Sequence, residues 1–247
     1  MIVTSHNLDF LEKFLDDIGA RYMNLVDDQV GMGIPQAYCS YLMSTGREDP
    51  VVLIDGGNTF NPYVVSRYSE LFSVDEREVM SNIHVSRAFT CHQFSTLVNS
   101  RLESEIVELG SRTVVLSEPA SLYIDRAAEE EVLEGFRKVH QRLLEFTYSM
   151  NLTTVIVHSY RIPRPVDGGA LERGRRERAA KFTERVLWRL ADSVYRVEER
   201  PKGCLVSRLK NPYYPEGPAF LIPFETRLVT LADFMEGPAQ EADSTWA

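Results

Sequence analysis

Three short runs of apolar, mostly β-branched residues limit the folds open to this chain. They are VVLID at Val51–Asp55, TVVL at Thr113–Leu116 and TVIVH at Thr154–His158. Such short runs without polar alternation are typical of strands that are covered on both faces of a parallel sheet. Parallel strands need long crossover connections, and the intervening stretches are long enough to hold helices. The alternation of strand-like runs with stretches of helix length therefore predicts an α/β fold with a mainly parallel central sheet.

The stretches between these runs carry helix signals. Asn61 followed by Pro62 is a good helix start, because Asn caps free N–H groups and Pro fits the first turn. Apolar residues at helical spacing predict three further helices, and an alternating stretch predicts one more strand. The helices are His92–Glu108, Arg126–Met150 and Ala179–Leu190, and the strand is Asn82–Phe89.

The C-terminal part has the pattern of antiparallel strands. The predicted strands are Ser193–Glu198, Cys204–Leu209 and Ala219–Pro223, and the Pro-Lys-Gly at 201–203 turns the first pair. No interior linker or repeat appears, so we expect one domain over residues 1–232. The only charged residues in 233–247 are acidic, and we expect a flexible acidic tail.

Composition narrows the functional classes. The chain has 247 residues, a net charge of −9 and 44% hydrophobic residues, which is ordinary for a globular protein without a basic coat. No apolar run reaches the length of a membrane span, and the N-terminus lacks the pattern of a signal peptide. We therefore expect a cytoplasmic protein. Cys39, Cys91 and Cys204 have no metal-ligand spacing, so we expect buried thiols and no metal.

An ordered set of motifs resembles the RadA family, the archaeal and eukaryotic strand-exchange recombinases of RecA type. The segment IDGGNTFNP is similar to the family's IDTEGTF-RP, and NIHVSRAFTCHQ is similar to its NI-x-VARA-x-N-x-DHQ. Further similar segments are TVIVHSYRIPRP, LADSVYRVEE and NPYYPEGPAFLI. The resemblance implies a RecA-like P-loop NTPase fold over roughly residues 8 to 224. Within this resemblance we expect no counterpart of the family's N-terminal helical domain or of its Phe-containing filament motif.

The chain departs from the family where ATP would bind. The family's phosphate loop, GEFGSGKTQ, falls on Asp28–Gln36. Gly31 and Gly33 remain, whereas Asp28 replaces a Gly, Ile34 replaces the phosphate-binding Lys and Pro35 replaces the Mg²⁺-binding Ser or Thr. Each lost charged contact is worth about 1.5–3 kcal/mol, and a micromolar affinity corresponds to about 8 kcal/mol. The resemblance therefore implies a degenerate site without a cofactor.

Other catalytic positions are altered too. Gly57 stands where the family has the Glu that orients the attacking water, and Tyr160 stands where it has a phosphate-sensing Gln. Glu118 lies near the position of the metal-coordinating Asp, and Asp55 ends a strand beside this site. We expect the chain not to be an enzyme; a weak ATPase with an unusual site is the alternative.

A basic stretch stands out against the acidic composition. In the family this interval is the second DNA-binding loop, and Gly168, Gly169 and Gly174 favour a mobile loop here. An Arg/Glu surface helix with local ion pairs is the alternative. The first DNA-binding loop falls on Tyr123–Glu134, which is acidic. The candidate nucleic-acid-binding residues are Arg161, Arg164, Arg173, Arg175, Arg176, Arg178 and Lys181.

These features predict a catalytically inactive RecA/RadA-like paralogue. It would be an accessory or regulatory factor in DNA recombination or repair, acting through a recombinase partner or weak single-stranded DNA binding. The alternative is a structural subunit of a RecA-like homo- or hetero-oligomer without a nucleic-acid role.

Overall fold

The computed structural model describes residues 8–19, 22–124, 130–159, 170–201 and 203–223. Tyr160, Arg161, Arg164 and the acidic tail at 233–247 lie outside these residues.

The described strands form one eight-stranded sheet in the order β3-β2-β4-β5-β1-β6-β7-β8. The first six strands of that order are parallel, and β7 and β8 are antiparallel to their neighbours. The strands are β1 (Met23–Asp28), β2 (Val51–Asp55), β3 (Ile83–Arg87), β4 (Thr113–Ser117), β5 (Thr153–His158), β6 (Ser193–Arg200), β7 (Gly203–Lys210) and β8 (Gly217–Pro223).

Helices connect the parallel strands and cover both faces of the sheet. They are α1 (Leu8–Ile18), α2 (Ile34–Ser44), α3 (Pro62–Leu71), α4 (Glu76–Ser81), α5 (Cys91–Thr96), α6 (Leu102–Leu109), α7 (Ser121–Ile124), α8 (Glu130–Ser149) and α9 (Ala170–Leu190). One apolar cluster packs α1 to α4 against the sheet, and a second packs α5, α6, α8 and α9 against the opposite face.

The predicted α/β class and the interior strands are confirmed. Val51–Asp55, Thr113–Leu116 and Thr154–His158 lie in β2, β4 and β5, inside the sheet and fully buried. Alternating side chains of these strands enter the two apolar clusters, which explains why consecutive positions in the middle of each strand are apolar. The Asn61 side chain caps α3 by accepting a hydrogen bond from the N–H of Tyr63 at 3.0 Å.

The expectation of a mobile basic loop around Gly174 is wrong, because α9 begins at Ala170 and includes it. An ion pair of 3.1 Å between Arg176 and Glu172, one turn apart, supports this part of the helix. Glycine in a helix costs only about 1 kcal/mol relative to alanine. The packing of the C-terminal part of α9 offsets this cost. The helix predicted over His92–Glu108 is interrupted by a π-helical turn at Leu97–Arg101.

Candidate functional site

The loop after β1 is filled by its own side chain. The Asp28 carboxyl group accepts hydrogen bonds from the N–H groups of Val30 at 3.1 Å, Gly31 at 2.9 Å and Met32 at 2.8 Å. Backbone N–H groups of such loops are the donors that hold phosphate oxygens. In this chain an internal carboxyl group occupies them.

The surroundings of Asp28 reinforce this arrangement. The side chain is buried, and burial raises the pKa of Asp28 above its ordinary value of 3.8. The three N–H groups act in the opposite direction, and the nearby Glu118 adds to the rise. The loop is also held from outside, because the hydroxyl of Tyr68 donates to the Met32 carbonyl at 2.7 Å.

The helix that follows the loop presents apolar groups instead of phosphate ligands. Gly33 caps α2 with a φ of 73°, and Ile34 is completely buried in the apolar core. Pro35 lies in the first turn and has no N–H group to donate. A Cβ atom on Gly33 would lie 2.8 Å from the Val64 side chain, so the turn needs glycine for space as well as for its φ.

Asp55, at the end of β2, braces the next turn. Its fully buried carboxyl group accepts hydrogen bonds from the N–H groups of Thr59 at 3.0 Å and Phe60 at 2.9 Å. Arg87, on β3, lies 3.7 Å away. The Thr59 hydroxyl is 2.7 Å from the hydroxyl of Ser117, at the end of β4. Asp55 therefore stabilises the turn after β2 and connects it to β3 and β4.

Glu118 turns toward β5. Its backbone has a φ of 51°, in the left-handed region that is uncommon for residues other than glycine. One carboxyl oxygen accepts a hydrogen bond from the Ser159 N–H at 2.9 Å, and the other lies 2.6 Å from Nδ1 of the buried His158. Glu118 thus closes the gap between the ends of β4 and β5.

Gly57 makes room for Glu118. A Cβ atom on Gly57 would lie 2.5 Å from the Glu118 Cβ and 2.9 Å from its Cγ. Real Cβ atoms do not approach each other so closely, so the two positions cannot both carry side chains in this conformation. A Glu at position 57, as in the resembling family, therefore conflicts with Glu118 as it stands here.

A cavity of about 350 Å³ lies between these turns, at the carboxyl ends of the parallel strands. Open α/β sheets bind ligands at this edge. Among the described lining residues two are acids, Asp28 and Glu118, and none is Lys or Arg. The walls therefore disfavour an anionic ligand such as a nucleotide phosphate.

The structure brings together part of the predicted site. Asp28, Gly31, Gly33, Pro35 and Glu118 line the cavity. The other predicted residues that the structure describes lie behind its walls: Ile34 in the core, Asp55 within its turn and Gly57 against Glu118. Sequence analysis missed several polar lining residues, although three of them directly follow or end strands, as site residues of α/β folds commonly do. The missed residues are Gln29, Gln36, Thr59, Asn61, Ser117 and Ser159.

A second cavity, of about 780 Å³, lies between the first turns of α8 and residues 174–185 of α9. We call it the α8–α9 groove. It is lined by one row of cationic side chains, three acidic side chains and an apolar floor that includes Leu133 and Phe182. The cationic residues are Arg175, Arg178, Lys181 and Arg185, and the acidic residues are Glu130, Glu134 and Glu177.

Helical spacing explains which cations reach the groove. Residues three or four apart lie on one face of a helix, and Arg175, Arg178, Lys181 and Arg185 follow this spacing. Arg173 and Arg176, which the sequence analysis grouped with them, are not in the groove lining, and Arg176 pairs with Glu172. The Arg137 guanidinium holds the pKa of Glu134 below its usual range, so this acid already has a cationic partner outside the groove.

Two further predictions concern metals and cysteines. The parts of the chain that the structure describes contain no group of three or more His, Cys, Asp or Glu side chains placed to hold a metal ion. Cys39, Cys91 and Cys204 are buried and not in disulfides, and burial raises the pKa of Cys39 to about 12. No helix in the described ranges has the length and apolar character to span a bilayer.

Comparison with known proteins agrees with the architecture. The Rad51 family model matches residues 38–145, from within α2 to within α8. No curated protein matches the chain. The mainly parallel sheet with its antiparallel C-terminal strands, together with this match, defines a RecA-like protein. Within that class, residues 38–145 are similar to the Rad51 family of recombinases.

Proposed function

We propose that this protein is a RecA-like accessory factor that does not hydrolyse ATP and assists DNA recombination or repair. The observation that carries the proposal is the Asp28 carboxyl group on the three loop N–H groups. A nucleotide phosphate would have to displace this group and then lie beside two acids without a Lys or Arg in the described lining. With ATP chemistry absent, the role that remains for a recombinase relative is binding.

The α8–α9 groove supports weak contact with single-stranded nucleic acid. Four cations in one row match the repeated phosphates of a strand, and the Phe182 ring in the groove lining offers an apolar surface for a base. The three acids of the groove and the net charge of −9 oppose attraction from a distance. We therefore expect affinity no tighter than micromolar at physiological salt.

Calorimetry with ATP and Mg²⁺ tests the first half of the proposal. We expect no binding tighter than millimolar and no turnover. The double variant Ile34→Lys with Pro35→Thr should remain inactive, because Asp28 still occupies the loop and Gly57 supplies no carboxylate. Micromolar affinity or ATP hydrolysis by the natural chain would favour a weak ATPase instead.

Salt titration with a labelled oligonucleotide tests the second half. If about three phosphates are neutralised, the logarithm of the affinity should fall with the logarithm of the salt concentration at a slope near −2. Replacing the four groove cations by Ala should abolish binding. The matched control removes four exposed cations elsewhere, namely Arg77, Arg101, Lys138 and Arg189. Equal losses in both variants would show non-specific attraction, and no binding at low salt would remove the nucleic-acid role.

A structural subunit of a RecA-like assembly is the second candidate. Strand β3 favours it, because this strand lies at the edge of the sheet and carries the exposed Val85, with the exposed Phe89 just beyond it. Affinity capture from the native host separates the candidates, since an accessory factor should co-purify with a recombinase.

A further inference from the structure

The four groove cations have no carboxylate partner in the part of the chain that the structure describes. Each of them is exposed, and none forms an ion pair with a described Asp or Glu. The neighbouring Arg176, on the same helix, does pair with Glu172 at 3.1 Å. The groove therefore holds a row of cations whose charge remains available to an occupant. These cations are Arg175, Arg178, Lys181 and Arg185.

The acids of the groove do not neutralise this row. Glu134 pairs with Arg137, which is not in the groove lining, at 2.5 Å. Glu130 and Glu177 remain, and they are two acids against four cations. Beside the charges lies the apolar floor of the groove. The lining therefore suits an occupant that combines several carboxylates with large apolar side chains.

The segment 233–247 of this chain has that composition. It contains four acids, three large apolar residues and no Lys, Arg or His. It lies outside the described residues and follows strand β8 in the chain. The acids are Asp233, Glu236, Glu241 and Asp243, and the large apolar residues are Phe234, Met235 and Trp246.

Strand β8 carries the chain to the edge of the sheet at which the groove begins. Strand β6 is parallel to β1, β7 reverses this direction, and β8 reverses it again. Strand β8 therefore ends, at Pro223, at the same edge as the carboxyl ends of the parallel strands. Helices α8 and α9 each follow a parallel strand and begin at this edge, so the N-terminal end of the groove lies there too.

The distance along this edge is within reach of the segment. Strand β8 lies four strand positions from β5, which corresponds to about 19 Å at about 4.8 Å per position. Residues 224–232 can span about 30 Å when extended. A segment tethered in this way has an effective concentration in the millimolar range, so weak contacts are sufficient to hold it.

We propose that residues 233–247 bind in the α8–α9 groove of their own chain. Their carboxylates neutralise the four groove cations, and their large apolar side chains cover the apolar floor. This inference concerns the groove of the proposed function but does not require nucleic acid to bind there. If the proposed function also holds, a nucleic-acid strand must displace the segment, in agreement with the weak affinity expected above.

Quenching of Trp246 by acrylamide tests the contact without nucleic acid. The chain has two tryptophans, so Trp188→Phe leaves Trp246 as the single fluorophore. We expect its quenching constant to rise at least about two-fold in about 1 M salt, where the screening length falls to about 3 Å. Replacing the four groove cations by Ala should raise it equally at low salt.

The matched control for this measurement replaces Arg77, Arg101, Lys138 and Arg189 by Ala, which removes four exposed cations outside the groove. The control should keep the low quenching constant of the parent chain. An equal rise in the groove variant and the control variant, or no rise in either, would overturn the proposal.

Carbodiimide crosslinking identifies the contact directly, because it joins a lysine amine to a carboxylate that touches it. Lys181 is the one lysine among the four groove cations. We expect peptide mapping of the full chain to find Lys181 joined to an acid of 233–247, within one chain at every protein concentration. Lys138, exposed on α8 and outside the groove lining, is the control and should not be joined to this segment.

Two results of the crosslinking would overturn the proposal. Links between two chains, with a yield that rises with concentration, would assign the groove to a second copy. Absence of a link from Lys181 to the segment, or an equal yield at Lys138, would show that the groove does not hold it. Lys181→Arg should lose the link and keep the low quenching constant of Trp246, because it keeps the charge and removes the amine.

Discussion

At the scale of single residues, Gly57 and Glu118 share a space that holds one side chain. Gly57→Ala would place a Cβ atom 2.5 Å from the Glu118 Cβ, and we expect it to lower the free energy of unfolding by about 1–3 kcal/mol. Gly135→Ala is the matched control, because its Cβ would meet no atom within 4 Å on helix α8. The control should be stabilising by about 0.5–1 kcal/mol.

A double-mutant cycle with Glu118→Gly measures the conflict. Glycine suits the φ of 51° at position 118 and removes the clashing atoms. Urea unfolding of the four chains should show that Gly57→Ala costs less in the Glu118→Gly background, with a coupling of about 1–2 kcal/mol. Purely additive effects would mean that the two residues do not compete.

His140 gives the protein a predicted sensitivity to acid. The ring is fully buried, with Nδ1 2.8 Å from the Phe136 carbonyl, and burial lowers the pKa of His140 from 6.5 to about 4. The unfolded chain then binds the proton more readily, so stability is full above pH 6.5 and falls as the pH drops toward 4. The loss is on the order of 3 kcal/mol.

Chemical unfolding at several pH values checks this expectation. His140→Leu should flatten the fall in stability between pH 6.5 and 4. The exposed His92 provides the control, and His92→Gln should keep the pH dependence of the natural chain. An unchanged fall in His140→Leu would assign the acid sensitivity to other groups.

At the scale of elements, strand β4 lies in the middle of the sheet and tolerates no charge. Val115 is completely buried there, and an unpaired buried carboxylate costs several kcal/mol against a total stability of about 5–15 kcal/mol. Val115→Asp should therefore abolish cooperative folding, as measured by circular dichroism. Val107→Asp is the matched control, because Val107 is 67% exposed on helix α6, and it should fold.

Elements with one clear periodicity could be predicted from the sequence, and others could not. Strands β2, β4 and β5 each contain a run of consecutive apolar residues, because both faces of the sheet are covered. Strand β1 escaped detection because its sequence, MNLVDD, ends in two acids that the fold nevertheless buries. Helix α2 was missed because most of it is buried, so no polar face marks its period. The first half of α9 was predicted as a loop because its glycine and arginine residues were given more weight than the pairing of Arg and Glu residues one helical turn apart.

The sequence predicted where in the fold the candidate site lies, but not how its side chains are arranged. The motif order located the turn after β1 and the ends of the strands. Asp28 stands where the resembling family has a glycine of its phosphate loop, and the sequence alone shows that this glycine is absent. The direction of the Asp28 side chain depends on three N–H groups that only the folded loop presents. The same holds for Glu118, whose left-handed backbone turns it toward β5.

At the scale of the whole molecule, the sheet links both apolar clusters into one unit. Strands β1, β2, β4 and β5 contribute side chains to each cluster, so neither face can separate while the sheet remains. We expect a single cooperative unfolding transition. Circular dichroism and the fluorescence of Trp188, on α9, should report the same midpoint, and an earlier midpoint for the fluorescence would show that α9 unfolds separately.

The contact between Gly57 and Glu118 also constrains the order in which this chain could acquire an ATPase site by mutation. A Glu introduced at position 57 first would meet Glu118 and destabilise the fold. Position 118 must therefore lose its side chain before position 57 gains one, and that intermediate loses the link to Ser159 without any catalytic benefit. Asp28 must then vacate the loop before a lysine at position 34 has a phosphate to bind. If the proposed function holds, a route to ATP hydrolysis would pass through several neutral or harmful steps, so a single substitution should not create an ATPase.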